Sequence, residues 1–334
     1  GISGANIATA QAVITDNTTE KNRTQGLGLI GAAFGLGFII GPVIAFASLA
    51  ASGNNYRVPA FVAAAFSFFS ILLTYFWLEE SHPAEKRGTG AVDESGFRFS
   101  AMLKALQRPT VGFLLILMFF QQFAFGGFEQ LLSLFTLSRL GMNASSNSAL
   151  FVYIGVIVVM VQGYFVGKWS RKFGDRWLIV MGLVVLGMGL LLTAFTPRVP
   201  VPWYTQSSLT EELSGDIPQT GETTPVNDIQ IKLPDDSETG WFGLLWIIVA
   251  MIPAAIGGGI LQPSINSKIT KQVSPIEVGG ILGISASFLS GANAITPLVM
   301  GAIFQWVGAS APFFFGGVIL LVLWIVAKRT LPTE

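Results

Sequence analysis

The fold is decided by the segment RTQGLGLIGAAFGLGFIIGPVIAF, residues 23–46. It carries no charge after Arg23 and is long enough to cross a bilayer as a helix. Its small residues fall on two helical faces: Gly28, Gly31 and Gly35 on one, and Gly37, Gly41 and Ala45 on the other. Small residues at these spacings let neighbouring membrane helices approach closely. The segment therefore predicts a membrane helix with neighbours on two sides, bent at Pro42 because proline has no amide proton to donate.

The composition places the chain in a membrane. Of the 334 residues, 51% are hydrophobic and only 11% are charged, and the mean hydropathy is +0.63, values outside the range of soluble globular proteins. The absence of cysteine and the single histidine, His82, exclude disulfides and thiolate or histidine-rich metal sites. A net charge of zero argues against nucleic acid as a partner. We therefore expect a polytopic membrane protein without a metal or other cofactor.

Further apolar runs near or above the length of a membrane span occupy residues 58–78, 109–137, 149–167, 177–196, 241–263, 279–306 and 311–327. With residues 1–16 and the first segment, they predict nine helices. When the loops are assigned alternately to the two sides, fifteen of the 19 Lys and Arg residues fall on one side, and only Arg57, Arg139, Arg198 and Lys232 on the other. Basic residues are retained in the cytoplasm, so this asymmetry fixes the predicted orientation.

The spacing of Gly37, Gly41, Pro42 and Ala45 resembles the antiporter motif in the fifth helix of the major facilitator superfamily. The motif usually ends in two glycines, where this chain has Ala45 and Phe46. The closest resemblance is to the drug:proton antiporter branch that includes the tetracycline exporters. Residues 1–16 resemble the fourth helix of that branch, and residues 257–288 resemble its tenth and eleventh helices.

The resemblance implies an all-α membrane protein with the major facilitator fold, which consists of two pseudo-symmetric helix bundles. About nine helices of these two bundles are present in this sequence. The sequence then represents a fragment truncated at its N-terminus. Residues 1–78 would be the remainder of the N-terminal bundle (helices 4–6 of the family), residues 79–108 a cytoplasmic linker containing His82, and residues 109–334 the C-terminal bundle (helices 7–12). Acidic residues among Pro, Ser and Thr predict a flexible outside loop over residues 197–240.

An internal repeat supports two related bundles. A shift of 255 positions aligns Gly28 with Gly283, Gly31 with Ala286 and Pro42 with Pro297. Parallel repeats about an axis along the membrane normal are characteristic of the superfamily.

Polar residues inside the predicted spans mark a candidate path, because facing them to lipid is costly. They are Asn6, Gln11, Gln121, Gln122, Gln130, Gln162, Gln262, Asn266 and Asn293. Glu129 is the one carboxylate well inside a span. Burial disfavours its ionised form, which would let it bind and release protons; alternatively, it is a structural carboxyl bonded to neighbouring helices. Asp16 is a second coupling candidate because it resembles the acid of the family's fourth helix.

The stretch GKWSRKFGDR, residues 167–176, resembles the second-bundle copy of the superfamily's cytoplasmic loop motif. The matching residues are Gly167, Lys172, Gly174 and Arg176, whereas Arg171 stands in place of the usual acid. The stretch is therefore interpreted either as a cytoplasmic gate or as a set of positive charges that anchors the orientation.

The resemblance implies a secondary active transporter rather than an enzyme. We expect proton-coupled efflux of small amphipathic organic compounds, of the multidrug or tetracycline type, by alternating access. The expected partners are a small-molecule substrate, protons and the lipid bilayer, and the protein is expected to be a monomer that crosses the bacterial inner membrane several times. Two alternatives remain: a proton symporter for sugars or organic acids, and a receptor or scaffold that uses the acidic outside loop.

Overall fold

The chain folds into helices throughout the residues that the structure describes. This computed structural model describes residues 5–52, 57–78, 99–207, 209–210, 233–235 and 239–332. Its elements are α1 (Ala5–Asp16), α2 (Arg23–Ala51), α3 (Arg57–Trp77), α4 (Phe99–Gln107), α5 (Pro109–Leu140), α6 (Ala144–Met160), a π-helical turn (Val161–Phe165), α7 (Val166–Ala194), α8 (Trp241–Thr270), a 3-10 turn (Pro275–Glu277), α9 (Val278–Trp306) and α10 (Ala311–Thr330). Seven helical runs are long and apolar enough to cross a membrane, which confirms the predicted class.

The run from residue 144 to residue 194 contains two crossings, because the chain reverses at Gly174. Gly174 has φ 80° and ψ 160°, a region that is essentially restricted to glycine. Gln162 before this point and Gly182 after it both pack against residues 259–261 of α8. The described ranges therefore hold nine helical crossings or part-crossings besides α4, as predicted. The connection between the predicted spans 149–167 and 177–196 is shorter than expected, since only Gly174 departs from helical geometry.

The glycines of α2 form one helix contact instead of the predicted two. A side chain at Gly28 would meet Val166 and the backbone of Gln162, and one at Gly35 would meet Val159. In contrast, no described residue lies within 4 Å of a side chain built at Gly37 or Gly41. The prediction that this second face has a neighbour is therefore wrong for the described part of the chain. Small residues make a flat helical face, but their spacing does not reveal whether another helix occupies it.

Ala45 is half-buried and the side chain of Pro42 lies outside the described residues, so the predicted bend stays a prediction. Helix α2 itself is continuous from Arg23 to Ala51.

The predicted linker contains helix α4. Residues 79–98, and with them His82, lie outside the described ranges. Ala105 is buried, and α4 packs so closely on α5 that a side chain at Gly112 would overlap the backbone of Leu106. At the end of this segment Arg108 forms a 2.6 Å salt bridge with Glu277, before α9. The loop-like prediction is therefore wrong for residues 99–107, where an apolar helical face outweighs the charged average of the whole stretch.

The ends of the acidic segment are packed onto the protein. Val201 and Tyr204 are buried, the Val201 amide donates to the Leu140 carbonyl over 2.9 Å, and the Gly240 amide donates to the Pro200 carbonyl over 2.8 Å. The prediction of a flexible loop over residues 197–240 is therefore wrong for these two ends. The sequence analysis missed the short apolar cluster at residues 199–204 because the composition of the whole segment 197–240 is polar and acidic. The strongly acidic residues 211–232 lie outside the described part.

The core lies among α5, α7, α8 and α10, where Leu115, Phe135, Leu186 and Phe313 are almost fully buried. Helix α3 has no buried residue, and its apolar side chains are exposed, as suits a helix that contacts lipid.

Candidate functional site

A cavity of about 510 Å³ lies between α1 and α2 on one side and α5, α6, α8 and α9 on the other. Its volume is within the range of sites for small organic ligands. Polar lining residues come from α1, α5, α8, α9 and the π-helical turn: Gln11, Gln121, Gln122, Glu129, Gln162, Gln262, Asn266, Ser290 and Asn293. The set contains Glu129 and seven of the nine polar residues that the sequence analysis proposed for the path.

Two of the predicted path and coupling residues, Gln130 and Asp16, do not line the cavity. Gln130 is exposed and points away from it, because it is rotated by about 100° from Glu129 on the same helix. Asp16 is exposed at the end of α1, and the side chain of Asn6 is outside the described residues. Gly31 and the repeat-related Ala286 both line the cavity.

Glu129 faces the cavity from the middle of α5. It is half-buried, and no described side chain forms a hydrogen bond or an ion pair with its carboxyl. No Lys, Arg or His is among the described residues that line the cavity. Within the described ranges, the carboxyl therefore makes none of the hydrogen bonds to neighbouring helices that the structural alternative predicts.

The carboxamides of the wall divide into paired and unpaired groups. The Gln122 Nε2 donates to the Asn293 Oδ1 over 3.0 Å and so links α5 with α9. In contrast, the Oε1 atoms of Gln121 and Gln162 and the Oδ1 atom of Asn266 are buried without a hydrogen-bond partner. A buried acceptor without a donor costs about 1 to 3 kcal/mol. The three side chains line the cavity, but these oxygens are turned into the protein and are inaccessible from it.

Gln162 lies where the first set of helices (α1 and α2) meets the second set (α5, α6, α8 and α9). A local departure from α-helical geometry holds it there. It belongs to the π-helical turn that joins α6 and α7, and such turns are frequent at functional sites. Its side chain lies over Gly31 of α2, where a Cβ would come within 1.5 Å of Oε1, and beside Gly259 of α8. Glycine at position 31 therefore makes the space in which this carboxamide reaches the cavity.

Phenylalanine rings form the apolar wall. Phe125 and Phe128 of α5 stack with their centroids 5.7 Å apart, and Phe34 and Phe151 line the cavity from α2 and α6. An apolar wall with a few fixed polar groups is the usual form of a site for a small amphipathic molecule.

A buried carboxylate joins the two sets of helices at the end that the charges predict to be cytoplasmic. Asp175, which follows the reversal at Gly174, has no exposed surface. Its Oδ1 accepts hydrogen bonds from Thr24 Oγ1 and Ser170 Oγ, both of 2.6 Å. Its Oδ2 accepts from Ser267 Oγ and Lys271 Nζ, both over 2.8 Å. We call these five residues the Asp175 cluster. It connects the start of α2 with α7 and the end of α8.

The sequence analysis missed Asp175 because it assigned the acid of the loop motif to position 171. Arg171 is exposed and donates to the Gln25 side chain, Lys172 lies 5.0 Å from the centre of the Phe173 ring, and Arg176 donates to the Lys328 carbonyl over 3.2 Å. Gly167 packs against Gln25. A signal was present, since Asp175 is the single acid among residues 161–196 and directly follows a glycine.

The fold and the cavity define a class: a multi-pass membrane protein whose helices enclose a ligand-sized central space. The chain belongs to the Major Facilitator Superfamily, a family of transporters whose profile matches residues 1–210.

Curated relatives carry names of drug resistance proteins. The chain is 23% identical over 323 residues to multidrug resistance protein 2 of Bacillus subtilis, covering 96% of this chain and 68% of the relative. It is also 23% identical over 308 residues to the class B tetracycline resistance protein of Escherichia coli, covering 91% of this chain and 63% of the relative. The chain thus spans about two thirds of the length of these relatives.

A solved structure shows the same fold. The crystal structure of the human organic anion transporter MFSD10 superimposes with a TM-score of 0.71 and 22% identity, over 96% of this chain and 67% of that one.

Proposed function

We propose that the protein is a secondary active transporter that exports small amphipathic organic molecules in exchange for protons. The observation that carries the proposal is the central cavity, which contains an unpartnered carboxyl at Glu129 and is lined by two separate sets of helices. A transporter needs a site that two parts of the fold share, so that their relative movement opens it to either side of the membrane.

The division between the moving parts falls between α3 and α5. Residues 1–78 form the remainder of one bundle, residues 79–108 the linker, and residues 109–334 the second bundle. Thr24 belongs to the first bundle, whereas Asp175, Ser267 and Lys271 belong to the second. The Asp175 cluster therefore closes one end of the cavity, and alternating access requires that its bonds to Thr24 break in each cycle.

Glu129 is the coupling group. Because no described residue bonds to its carboxyl, the carboxyl is available to a proton or to the substrate. If the two compete for it, release of one accompanies binding of the other, which is exchange. Asp16, exposed at the end of α1, is not placed to take part in this competition.

The names of the relatives support export of amphipathic compounds, since those proteins are called multidrug and tetracycline resistance proteins. The similarity of residues 37–45 to the antiporter motif supports the same direction. We assign the protein to the plasma membrane of a bacterium, with a single chain as the working unit and no cofactor, metal or nucleic acid as a partner.

A proton symporter for sugars is the second candidate, because seven carboxamide side chains line the cavity and carboxamides can donate to and accept from hydroxyl groups. The direction of flux separates the two. An exporter accumulates its substrate in inside-out vesicles with an acidic interior, whereas a symporter accumulates it in right-side-out vesicles with an acidic exterior.

The test is proton-driven accumulation of tetracycline and ethidium in inside-out vesicles that contain the full-length protein. We expect the wild type to accumulate at least one of the two, and Glu129→Gln to lose driven accumulation while it still exchanges labelled for unlabelled substrate. Gln130→Leu is the matched control, since position 130 lies outside the cavity and leucine introduces no charge toward lipid; the control should behave as the wild type. Undiminished driven accumulation by Glu129→Gln would contradict the assignment of the coupling group.

A further inference from the structure

Helix α10 and the part of α7 that follows Gly174 lie side by side along their whole length. At one end the rings of Phe195 and Phe314 touch, with their centroids 6.2 Å apart. At the other end the Arg176 guanidinium donates to the Lys328 carbonyl over 3.2 Å. The helical rise between Arg176 and Phe195 is about 28 Å, close to the roughly 30 Å thickness of the hydrocarbon layer of a bilayer. The pair of helices therefore presents one continuous surface from one side of the membrane to the other.

This surface is apolar and open. Trp177, Met181 and Met188 of α7 and Val322 and Ile325 of α10 each expose more than a third of their area. We call these five side chains the α7–α10 face. An exposed apolar face on a membrane helix contacts the acyl chains of lipids.

Positive charge is concentrated where the α7–α10 face reaches the end that the charges predict to be cytoplasmic. Lys328 and Arg329 are exposed, and Arg176 is half-buried beside them. None of the three forms an ion pair with another described residue. Asp175, the chain neighbour of Arg176, does not neutralise them, because its carboxylate is buried and accepts from Lys271.

Two tryptophans mark the depth of these cations in the membrane. The Trp177 ring stacks on the Phe173 ring with the centroids 4.4 Å apart, and the Lys328 Nζ atom lies 5.9 Å from the centre of the Trp324 ring. Tryptophan is enriched at the boundary between the hydrocarbon layer and the lipid headgroups. Arg176 and Lys328 therefore lie at the level of the phosphate groups.

We propose that Arg176, Lys328 and Arg329 bind the phosphate of one anionic phospholipid, whose acyl chains lie along the α7–α10 face. Arginine and lysine both complement a phosphate group, and basic pockets between membrane helices on the cytoplasmic side bind acidic headgroups. A second copy of the chain is a poorer occupant, because a twofold interface on this surface would bring the same cations of both copies together. The inference does not depend on the proposed function, since none of these residues lines the central cavity.

Native mass spectrometry of the full-length protein in detergent tests the site. The protein is titrated with palmitoyl-oleoyl phosphatidylglycerol, which is anionic, or with phosphatidylcholine of the same acyl chains, which has no net charge. Each cation near a headgroup contributes about fivefold in affinity. We therefore expect one phosphatidylglycerol per chain to be retained at concentrations at least about tenfold lower than phosphatidylcholine.

Variants assign the effect to residues. Arg176→Gln should weaken phosphatidylglycerol about fivefold, and Lys328→Gln/Arg329→Gln should weaken it further, at about fivefold for each charge. Neither should change the affinity for phosphatidylcholine. The matched control is Lys21→Gln/Lys104→Gln, which removes two exposed cations from other segments of the same predicted side and should change neither lipid. The two test variants lie on different helices, so poor folding of one leaves the other as a test.

Four results would overturn the inference. Equal affinity for the two lipids would remove the charge selection, and an equal loss in the control variant would show that the charges act without a defined site. Displacement of phosphatidylglycerol by excess inorganic phosphate would show that the cations bind a free anion instead of a lipid. Recovery of the wild type as a dimer without bound phosphatidylglycerol would show that a second copy covers the α7–α10 face. Because the cavity is separate from this face, each of these results leaves the proposed transport standing.

Discussion

The hydroxyl of Thr24 donates a 2.6 Å hydrogen bond to the carboxylate of Asp175, 151 positions further along the chain. Asp175 has no contact with water, so its charge is stabilised by this bond together with those from Ser170, Ser267 and Lys271. Thr24 Oγ1 also lies 2.8 Å from Ser267 Oγ and 3.0 Å from Ser170 Oγ, so the hydroxyls form one network around the carboxylate. The two sets of helices are thus held together at this end by a group that neither set satisfies alone.

Replacing Asp175 with Asn should favour opening at the end of the cavity that this cluster closes. Asparagine keeps the shape but loses the negative charge, so the closed state loses about 1 to 3 kcal/mol of charge-assisted hydrogen bonding. The measurement is the reaction rate of a cysteine introduced at Leu27, which is buried and lines the cavity, with an impermeant maleimide in inside-out vesicles. The chain has no native cysteine.

We expect this rate to rise severalfold in Asp175→Asn, because reactivity follows the open population. The exposed neighbouring substitution Lys172→Gln is the control and should leave the rate unchanged. An unchanged rate in Asp175→Asn would show that the cluster does not hold this end closed.

Substitution of glycine in α2 should lower stability on one face of the helix and leave it unchanged on the other. At Gly28 a Cβ would lie 2.8 Å from the backbone oxygen of Gln162, which cannot move aside independently, so Gly28→Ala should destabilise the protein by about 1 to 3 kcal/mol. Gly37→Ala places its methyl group where no described atom lies within 4 Å and should leave stability unchanged. Thermal unfolding in detergent checks both variants. A larger loss for Gly37→Ala than for Gly28→Ala would show that the packing of α2 is assigned to the wrong face.

The reversal at Gly174 should depend on glycine. Alanine at φ 80° and ψ 160° is strained by about 1 to 3 kcal/mol, so Gly174→Ala should lower the melting temperature and displace Asp175. Gly163→Ala is the matched control. Gly163 lies in the π-helical turn before α7, and the nearest atom to its new methyl group is 3.8 Å away. The same melting temperature for both variants would contradict the assigned backbone geometry.

The sequence predicted the helices well because apolar length is a strong and local signal. It also proposed Gln121, Gln122 and Glu129 of α5 for the path and the coupling site, and all three line the cavity. It could not separate Gln130 from them, because adjacent polar residues do not reveal where the boundary of a buried face falls. Likewise, the glycine spacing of α2 predicted two contact faces, of which only the one facing Gln162 is occupied in the described residues.

Tertiary contacts account for what the sequence analysis missed. Asp175 receives donors from positions 24, 170, 267 and 271, and no local pattern brings these positions together. The family motif directed attention to Arg171, whose side chain is exposed. Helix α4 and the packed segment around Tyr204 were missed for a different reason: each is a short apolar stretch inside a polar region, and averaging over the region conceals it.

The central claim is that the Asp175 cluster must come apart for substrate to cross, and a reversible cross-link tests it most directly. The hydroxyl oxygens of Thr24 and Ser267 are 2.8 Å apart, and cysteines at both positions would bring two sulfur atoms close enough for a disulfide. Because the chain has no other cysteine, oxidation of Thr24→Cys/Ser267→Cys can form only this bond within the chain. The two single variants, treated identically, show any effect of the substitutions themselves.

The measurement is proton-driven accumulation of substrate by the double variant, oxidised and then reduced with dithiothreitol. We predict that oxidation abolishes accumulation in proportion to the cross-linked fraction and that reduction restores it to the level of the single variants. Full accumulation by completely cross-linked protein would contradict the account, because transport would then proceed with the two sets of helices joined at this end.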